Sequence, residues 1–587
     1  MNKRIDLLLV NSFAPRNRIA SDTALENSLA LLRTYLEKKG FAVAVIDEQR
    51  VGAIEKGVPR WVNRLLRRLV EWQIKVYARQ KKLLLLPLML AAWPVQAAGL
   101  YFRRRYMEEL ADTIVKLVKE GNIPVVGIKS WYGDSYKWSA MLAAKVRQAA
   151  PETVVVVGGP QVNVYGEYVT RNRHFDLAIM GPGEQMLEKL LRLRWTAANK
   201  EEFLRLVRHN ISPAPLIRVG QYSGKSVPTA TFNSIPRYTP AELTDKMLFH
   251  TLVDGVGCTW NKCNFCSHTR QQIPYTPRPV EQIKGEIVTM IQQGIAFFRF
   301  SSSETPVYQG KAIAQMLLAN NINIRYSMFV RAGKVTDQTY QAYCQMIRAG
   351  LRAVFMGGET GHDAVNAAIM NKGVTRQDII DTIHCLKLAA AEAGAPCRIG
   401  LALIYPCPVP PGVSLESVFE ANLRLIEDTL PDTVIVNPPG IFPGTIWFEQ
   451  ADSFGFKAGA GFTPELMEYE YSIHKPAEFW PKLDYMLNGQ DVPRLLRENG
   501  RLRQAIQAMG IPIGVSDELL MMTEAIGYRS KLDLLQFQKN SLIDIMSGSS
   551  QYLRTVVDQI NASSQALAAT NSPHFAADFP VPRKNAI

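Results

Sequence analysis

Cysteine and histidine are scarce in this 587-residue chain, which has seven of the first and eight of the second. The odd number of cysteines and their clustering argue against a disulfide framework and favour a metal or redox site in a reducing compartment. No internal repeat is visible. A chain with 47% hydrophobic and 20% charged residues fits neither a disordered nor a collagenous class. The length predicts two to four domains, and Asp6 inside the first apolar run argues against a signal peptide.

Acidic residues are almost missing from one segment. Between Lys56 and Arg105 stand twelve basic residues and one acidic residue, Glu71, so this segment carries +11 of the net charge of +14. Because the remaining chain is close to neutral, no nucleic-acid partner is expected.

The same segment belongs to an insertion predicted at 52–105. Its first half is amphipathic, and its second half is free of charge from Leu83 to Phe102. That length would permit a membrane span, but Pro87 and Pro94 argue against one. Two interpretations stay open: residues 56–105 contact an anionic membrane surface, or they form a helical hairpin packed on the domain. The protein is accordingly predicted in the cytoplasm, with the inner membrane face as the alternative location.

Residues 1–200 alternate short apolar runs with helical patterns. This alternation predicts an α/β domain with a doubly wound, Rossmann-like parallel sheet. Ligands of such sheets bind at the carboxyl ends of the strands; ordinary strand-to-helix turns are the alternative interpretation. The candidate ligand-binding residues at these ends are Asn11, Ser12, Ser130, Trp131, Tyr132, Gly158, Gly159, Pro160, Gly181, Pro182, Gly183 and Glu184.

Three of the seven cysteines lie within nine residues. Cys258, Cys263 and Cys266 have the spacing C-x4-C-x2-C. A zinc site needs a fourth ligand, for which only His268 lies near, two residues after the last cysteine. An iron–sulfur cluster is the other interpretation, because thiolates suit it and three ligands leave one iron open.

Strand–helix units follow the cysteines and predict a partial (β/α) barrel over 245–455, with its chemistry at the carboxyl ends of the strands. A linker is predicted at 201–244. A mostly helical C-terminal region is predicted at 456–570, in which the aromatic-rich segment 462–487 would close the barrel mouth. A flexible tail is predicted at 571–587.

Several motifs in this order resemble one family. The "CNFC" loop, the strand "FVRAG", the segment "GGETGHDAVNAAIMNKGVT" and the turn "FPGT" resemble radical SAM enzymes, although the first cysteine gap is one residue longer than is usual there. Together with the N-terminal domain, they resemble the cobalamin-dependent (class B) radical SAM enzymes, which carry a B12-binding domain.

The resemblance implies the cofactors and their ligands. It implies a [4Fe-4S] cluster on Cys258, Cys263 and Cys266, and S-adenosylmethionine (SAM) bound at the open iron. It also implies a reductant such as flavodoxin or ferredoxin. The residues that the resemblance places near SAM are Glu359, Arg331, Ser301, Ser302, Ser303 and Glu304.

Cobalamin is the third implied cofactor, bound at the sheet edge of the N-terminal domain. None of the histidines stands in a D-x-H-x-x-G signature, so cobalamin is expected without a histidine lower ligand. Trp131 and Tyr132 are candidates to shield that face of the cofactor, with simple packing as the alternative.

The implied reaction is methyl transfer from methylcobalamin to an unactivated carbon of a small-molecule or lipid-like substrate. A radical rearrangement or cyclisation without methyl transfer is the alternative enzyme. A redox-sensing iron–sulfur binding protein is the alternative from another class. Cys407, after a predicted strand, is a candidate substrate-facing thiol, although its proline-rich surroundings fit a rigid loop equally well.

Overall fold

The structure, a computed structural model, describes residues 4–14, 23–78, 85–220, 234–268, 275–469, 480 and 482–571. The predicted tail, apart from Asn571, lies outside these residues, as do Lys81, Lys82 and part of the predicted linker.

Six short strands near the N-terminus pair in parallel and form one sheet. Their apolar runs are buried because helices cover both faces of the sheet. The strands are β1 (Leu7–Asn11), β2 (Val43–Ile46), β3 (Val125–Lys129), β4 (Val154–Gly158), β5 (Leu177–Met180) and β6 (Leu216–Arg218). The helices are α1 (Asn27–Lys38), α2 (Arg60–Ala78), α3 (Leu85–Glu120), α4 (Asp134–Ala149), α5 (Pro160–Tyr165), α6 (Glu167–Thr170), α7 (Glu184–Thr196) and α8 (Lys200–Asn210).

The order of these strands in space is β2-β1-β3-β4-β5-β6. The chain therefore leaves β1 first to one side and then to the other, and the direction of winding reverses between β1 and β3. A crevice opens at the carboxyl ends of the strands at such a reversal, and ligands bind there. The prediction of a Rossmann-like N-terminal domain is confirmed, and its sheet extends beyond residue 200 to β6.

The insertion forms a helical hairpin of α2 and α3. Val62 of α2 packs near Gly99 of α3, and the Gln73 side-chain amide donates to the Leu88 carbonyl at 3.3 Å. The helix α3 continues through Pro94 to the start of β3, so the uncharged stretch and the helix after it form one element. In the part of the chain that the structure describes, no helix has the length and apolar character to cross a membrane.

The second sheet is the predicted partial barrel. Its strands are all parallel and run in the order β14-β13-β12-β11-β10-β7. The strands of this region are β7 (His250–Leu252), β8 (Gly255–Val256), β9 (Thr276–Pro277), β10 (Phe297–Phe300), β11 (Arg325–Val330), β12 (Leu351–Glu359), β13 (Arg398–Ile404) and β14 (Thr433–Asn437). Its helices are α9 (Pro240–Leu243), α10 (Val280–Gln292), α11 (Val307–Ala319), α12 (Asp337–Arg348), α13 (Asp363–Val365), α14 (Arg376–Ala393) and α15 (Leu415–Thr429).

The C-terminal region is mostly helical, as predicted, but it also completes the barrel. Leu520 of α19 packs with Phe297 and Ala353 on the inner face of the strands, and Arg299 of β10 pairs with Asp517 at 3.1 Å. The elements are α16 (Ile446–Glu449), β15 (Phe456–Ala458), α17 (Phe462–Met467), β16 (Tyr485–Leu487), β17 (Gln490–Asp491), α18 (Val492–Ala508), α19 (Asp517–Ala525), α20 (Lys531–Ser547) and α21 (Gln551–Ala569).

Candidate active site

The three clustered cysteines lie in the loop between β8 and β9, beyond the carboxyl end of β7. Cys263 is buried, whereas Cys258 and Cys266 are partly exposed. The backbone N–H of Cys266 donates to the Cys263 carbonyl at 3.3 Å, which closes a tight turn. Asn261, in the longer first gap, has φ +54°, a left-handed conformation that asparagine tolerates better than most residues.

Glu304 fastens the start of this loop. Its carboxylate accepts a hydrogen bond from the Thr259 backbone N–H at 2.7 Å and another from the Thr259 hydroxyl. The Cys258 Sγ lies 3.7 Å from the same oxygen. Glu304 is buried, so its carboxylate depends on these donors for its solvation. The structure thus places this predicted SAM contact against the first cysteine.

The end of the loop is held by the Met-Asn-Lys-Gly turn and by Trp447. The Asn264 backbone N–H donates to the Met370 carbonyl at 3.0 Å, and the Trp447 backbone N–H donates to the Asn264 carbonyl at 3.0 Å. The Trp260 indole donates to the Asn371 carbonyl at 2.7 Å. These bonds fix the loop to elements that lie 100 residues or more away along the chain.

Two cations lie beside the buried cysteine. Lys372 pairs with Glu359 at 2.7 Å, and Arg331 lies 5.0 Å over the Trp260 ring and donates to the Lys372 carbonyl. Burial raises the pKa of the Cys263 thiol to about 11, while Lys372 and Arg331 act to lower it. Burial acts against the charged form of Lys372, but Glu359 keeps its pKa above the ordinary value. The site therefore offers positive charge to an anionic group on the cysteines.

The donor set fits a cluster better than one metal ion. A zinc ion would need a fourth ligand beside the three cysteines, for which only His268 lies near in the sequence. The His268 ring lies 3.2 Å from the Ser303 hydroxyl. Three thiols in one loop, with Cys263 near two cations, suit an iron–sulfur cluster, which thiolates hold.

Asp254 is a site residue that the sequence patterns did not predict. Its carboxylate accepts from the Ser302 backbone N–H at 3.2 Å, from the Ser302 hydroxyl at 3.1 Å and from the Tyr275 hydroxyl at 3.2 Å. Burial raises the pKa of Asp254. Asp254 joins the loop after β7 to the residues after β10. A lone acid directly after a buried strand was the available signal.

Cys407, the candidate substrate-facing thiol, follows β13 but lies in the hydrophobic core. Burial raises the pKa of its thiol to about 12, which disfavours the reactive thiolate. Its surroundings match those of a structural cysteine.

At the edge of the N-terminal sheet, backbone groups and hydroxyls make several of the contacts. The Trp131 N–H donates to the Ser12 hydroxyl at 3.1 Å, and the Ser130 N–H donates to the Gly158 carbonyl at 2.9 Å. Gly159 has φ +93°, and a Cβ there would lie 3.2 Å from the Ser130 backbone. The structure therefore brings together the predicted residues that follow β1, β3 and β4.

Aromatic rings and helix starts complete this edge. The Trp131 and Tyr132 rings meet edge to face at 6.3 Å. Gly181 donates its N–H to the Asn163 side chain at 3.0 Å. Three further predicted residues sit at helix starts, which leave backbone N–H groups free: Pro160 opens α5, Gly183 precedes α7, and Glu184, whose pKa burial raises, opens α7. Asn11 lies at the end of β1, where its side-chain amide donates to Asp47 at 2.9 Å.

One carbonyl group joins the edge of the N-terminal sheet to the segment that follows the barrel. Met467, the last residue of α17, accepts hydrogen bonds from the Gly133 N–H at 3.1 Å and from the Gln161 side-chain amide at 3.2 Å. Both donors belong to loops at the edge of the N-terminal sheet, and α17 belongs to the segment that follows the barrel.

A small pocket opens beside this connection, after β14. Phe462 stacks on Tyr485 at 5.3 Å, and the Tyr485 hydroxyl donates to the Pro439 carbonyl at 3.1 Å. The pocket is lined by Pro438, Pro439, Gly440, Ile441, Phe462, Leu466, Tyr469, Trp480, Leu483, Tyr485, Val492, Leu495 and Leu496.

Comparisons with known proteins agree with this architecture. A family model described as the B12 binding domain matches residues 73–191, and one described as the radical SAM superfamily matches residues 252–396. No curated protein matches the sequence.

Solved structures show the same fold. The radical SAM methyltransferase TsrM from Kitasatospora setae, with cobalamin and a [4Fe-4S] cluster bound, is 14% identical with a TM-score of 0.57; the match covers 94% of this chain and 99% of that one. Its structure with tryptophan and the SAM analogue aza-SAM has a TM-score of 0.56 at 14% identity and covers 92% and 100%. The apo form of the cobalamin-dependent enzyme OxsB has a TM-score of 0.52 at 15% identity and covers 92% and 71%. The chain therefore contains a B12-binding domain and a radical SAM domain, as its resemblance to the cobalamin-dependent radical SAM enzymes predicts.

Proposed function

We propose that this protein cleaves SAM reductively at a [4Fe-4S] cluster and, with cobalamin, transfers a methyl group to a carbon of an apolar, aromatic small molecule. The observation that carries the proposal is the double contact of Met467 with Gly133 and Gln161. It brings the segment after the barrel against the edge of the B12-binding domain, beside an apolar pocket.

Some residues of the barrel edge would bind the cluster, and others would orient the cluster and SAM. Cys258, Cys263 and Cys266 hold the cluster. Arg331 and Lys372 offer positive charge to it and to the carboxylate of SAM, and Glu359 keeps Lys372 protonated. When bound, the cluster supplies the electron that breaks a C–S bond of SAM, and cobalamin carries the methyl group. The hydrogen bonds of Glu304 to Thr259 keep the first cysteine in place while the loop is loaded.

The edge of the B12-binding domain suits a large, flat ligand. Backbone groups of Ser130, Gly158 and Gly159 line it, and glycine lets a macrocycle approach the backbone closely. None of its loops at 130–133, 158–161 and 181–184 contains histidine, so cobalamin would bind there without a histidine ligand. Trp131 and Tyr132 would cover the face of the cobalamin that has no histidine ligand.

The pocket after β14 suggests the class of substrate. Its walls are aliphatic and aromatic, and the Tyr485 hydroxyl is already bonded to Pro439. A pocket with such walls binds ligands mainly through apolar contact, with a few polar groups to orient them. The structure of TsrM with tryptophan makes an indole a suitable first probe.

The test is anaerobic purification from cobalamin-supplied cells, followed by counting iron, sulfide and cobalamin per chain. The loaded protein is then reduced with dithionite and given SAM with a deuterated methyl group and L-tryptophan or indole. About four irons, one cobalamin, 5′-deoxyadenosine and a deuterated product are expected. The Cys258→Ala variant should form neither 5′-deoxyadenosine nor product.

Other outcomes would contradict parts of the proposal. A protein that binds a cluster and forms 5′-deoxyadenosine but binds no cobalamin would support SAM cleavage and exclude methyl transfer from cobalamin. The reaction would then be a rearrangement or a cyclisation. A cluster that never cleaves SAM would favour a redox sensor. Zinc in place of iron would overturn the assignment of the cysteine loop.

A further inference from the structure

The hairpin of α2 and α3 exposes large apolar side chains to solvent. Trp61, Trp72 and Trp93 are 59%, 62% and 71% exposed. Monomeric proteins rarely expose many such side chains in one place, and where they do, the surface usually binds something. The large apolar side chains exposed between residues 61 and 101, called the hairpin surface below, are Trp61, Leu65, Trp72, Met89, Leu90, Trp93, Leu100 and Tyr101.

The packing of the hairpin leaves this surface uncovered. Ala92 and Gly99 are the buried positions on this part of α3, and Gly99 lies against Val62 of α2. Met89, Trp93 and Leu100 stand four and seven residues apart, so they form one stripe along a different side of α3.

The C-terminal region covers only another side of the hairpin. The helix α20 reaches α2 through the ion pair of Arg67 with Asp544 at 2.6 Å. Trp61, Leu65 and Trp72 stay exposed on α2. The exposed apolar side chains therefore pack neither between α2 and α3 nor against the C-terminal region.

Basic residues surround the hairpin surface. Arg60, Arg64, Arg68 and Lys75 are exposed or nearly so on α2, and Arg104 and Arg105 are exposed on α3. The one acid between residues 60 and 105, Glu71, is engaged by Arg67 at 3.1 Å. The charge is complementary to an anionic partner.

The positive charge also distinguishes between the partners that could bind the hairpin surface. A second copy of this chain would bring two strongly basic segments together, and their repulsion opposes self-association. Nucleic acid would satisfy the arginines but gains nothing from aliphatic side chains such as Met89 and Leu90. Tryptophans, aliphatic side chains and arginines on helices are together typical of segments that lie in the headgroup region of anionic bilayers.

We propose that the α2–α3 hairpin docks this protein on the surface of an anionic lipid bilayer, without spanning it. The hairpin surface enters the headgroup region, and the exposed arginines contact lipid phosphates. This proposal is independent of the reaction, because no residue of the hairpin surface belongs to the candidate active site.

Co-sedimentation of the full-length, cluster-loaded protein with vesicles tests the proposal. The vesicles consist of phosphatidylcholine alone or of an equal mixture of phosphatidylcholine and phosphatidylglycerol. Binding to the anionic vesicles should be at least ~10-fold tighter and should weaken as salt is added, because the attraction is screened. The double variant Leu90→Ser/Trp93→Ser should bind at least ~10-fold less tightly than the unchanged protein.

Two further variants separate the contributions. Leu388→Ser changes an equally exposed leucine, 62% exposed, on α14, and it should bind as the unchanged protein does. Arg104→Gln/Arg105→Gln should lose the preference for anionic vesicles. Iron content and circular dichroism, unchanged in each variant, establish that the fold is intact.

Three results would overturn the proposal. Equal binding by the Leu90→Ser/Trp93→Ser variant would remove the hairpin surface from membrane contact. No binding of the unchanged protein to either vesicle would reject the membrane as partner. A dimer in light scattering that this double variant converts to a monomer would assign the surface to a second copy of the chain.

Discussion

The barrel and the N-terminal sheet build their carboxyl edges by different means. At the barrel edge, charged side chains are fastened to one another and to the loop, as Glu304 is to Thr259 and Glu359 is to Lys372. At the edge of the N-terminal sheet, most of the bonds described involve a backbone group, as between Ser130 and Gly158, although Lys129 at the end of β3 also pairs with Glu26. Charged side chains hold the cysteine loop at the first edge, whereas backbone groups form most of the bonds described at the second edge.

The difference matches the ligands that each edge is proposed to take. A small cluster and a zwitterionic cofactor are recognised by fixed charges, which act strongly in a buried site. A macrocycle is recognised over a wide area, where backbone groups and small residues avoid collision. If this comparison holds, a substitution at one edge should change the loading of that edge alone.

The largest effect is expected from Cys263→Ala. Removal of one of three thiolates should abolish iron binding and SAM cleavage while cobalamin binding persists, because the cysteine belongs only to the barrel edge. Iron, sulfide and cobalamin counts measure both. The control is Cys344→Ala, a cysteine buried in α12, which should keep its iron. Loss of cobalamin in Cys263→Ala as well would show that the edges are not independent.

The ion pair at the barrel edge comes next. Glu359→Ala leaves the Lys372 ammonium nearly buried and unpaired, which should lower the free energy of unfolding by roughly 3 kcal/mol. Glu359→Ala/Lys372→Met removes both charges and should recover most of that loss. Urea unfolding of the two variants measures the difference. Equal stabilities would mean that the pair does not hold this edge together.

The edge of the N-terminal sheet is tested by Gly159→Ala. The new methyl group would meet the Ser130 backbone at 3.2 Å in a conformation with φ +93°, so cobalamin affinity should fall about tenfold while iron content is unchanged. Gly40→Ala is the matched control, because φ is +91° there and nothing lies within 4 Å. A similar loss of cobalamin in both variants would attribute the effect to backbone strain rather than to the edge.

The smallest effect concerns buried charge on the inner face of the barrel. Burial, with a further contribution from Asp517, raises the pKa of Glu518 from 4.5 to about 7. A raised carboxyl pKa stabilises the fold at low pH, and this stabilisation is lost as the pH rises from about 4.5 to about 7. Glu518→Gln should therefore be more stable than the unchanged protein at pH 8, by about 1 kcal/mol, with little difference below pH 5.

Thermal unfolding at the two pH values measures this last effect. Glu108→Gln, which changes an exposed glutamate of α3, should show no such dependence on pH. A Glu518→Gln variant that is less stable at pH 8 would mean that the ionised carboxylate is held by Arg299 rather than penalised by burial.

Much of the fold followed from local patterns. The alternation of apolar runs with helical spacing predicted both parallel sheets, and the spacing of Cys258, Cys263 and Cys266 predicted the loop. The continuity of α3 was not predicted, because proline usually ends a helix. Pro94 is tolerated because the residue whose carbonyl loses its partner, Leu90, is exposed to water.

The contacts that hold the site together could not be predicted. Trp447 reaches Asn264, and Met467 reaches Gly133, across nearly 200 and more than 300 residues, and no short-range pattern encodes such partners. The predicted SAM contacts Arg331, Glu359, Ser302 and Ser303 lie on the barrel edge and stay predictions. Asp254 and Lys372 were overlooked because their roles arise only when separate strand ends meet.

The position of α19 has a consequence for biosynthesis. The barrel strands end at Asn437, and the helix that fills their inner face begins at Asp517, about 80 residues later, which takes a ribosome roughly 4–16 s to translate. During that interval the inner face of the sheet, including Arg299, is not yet covered by α19. A chaperone that binds nascent apolar strands would have its main opportunity on this chain in that interval.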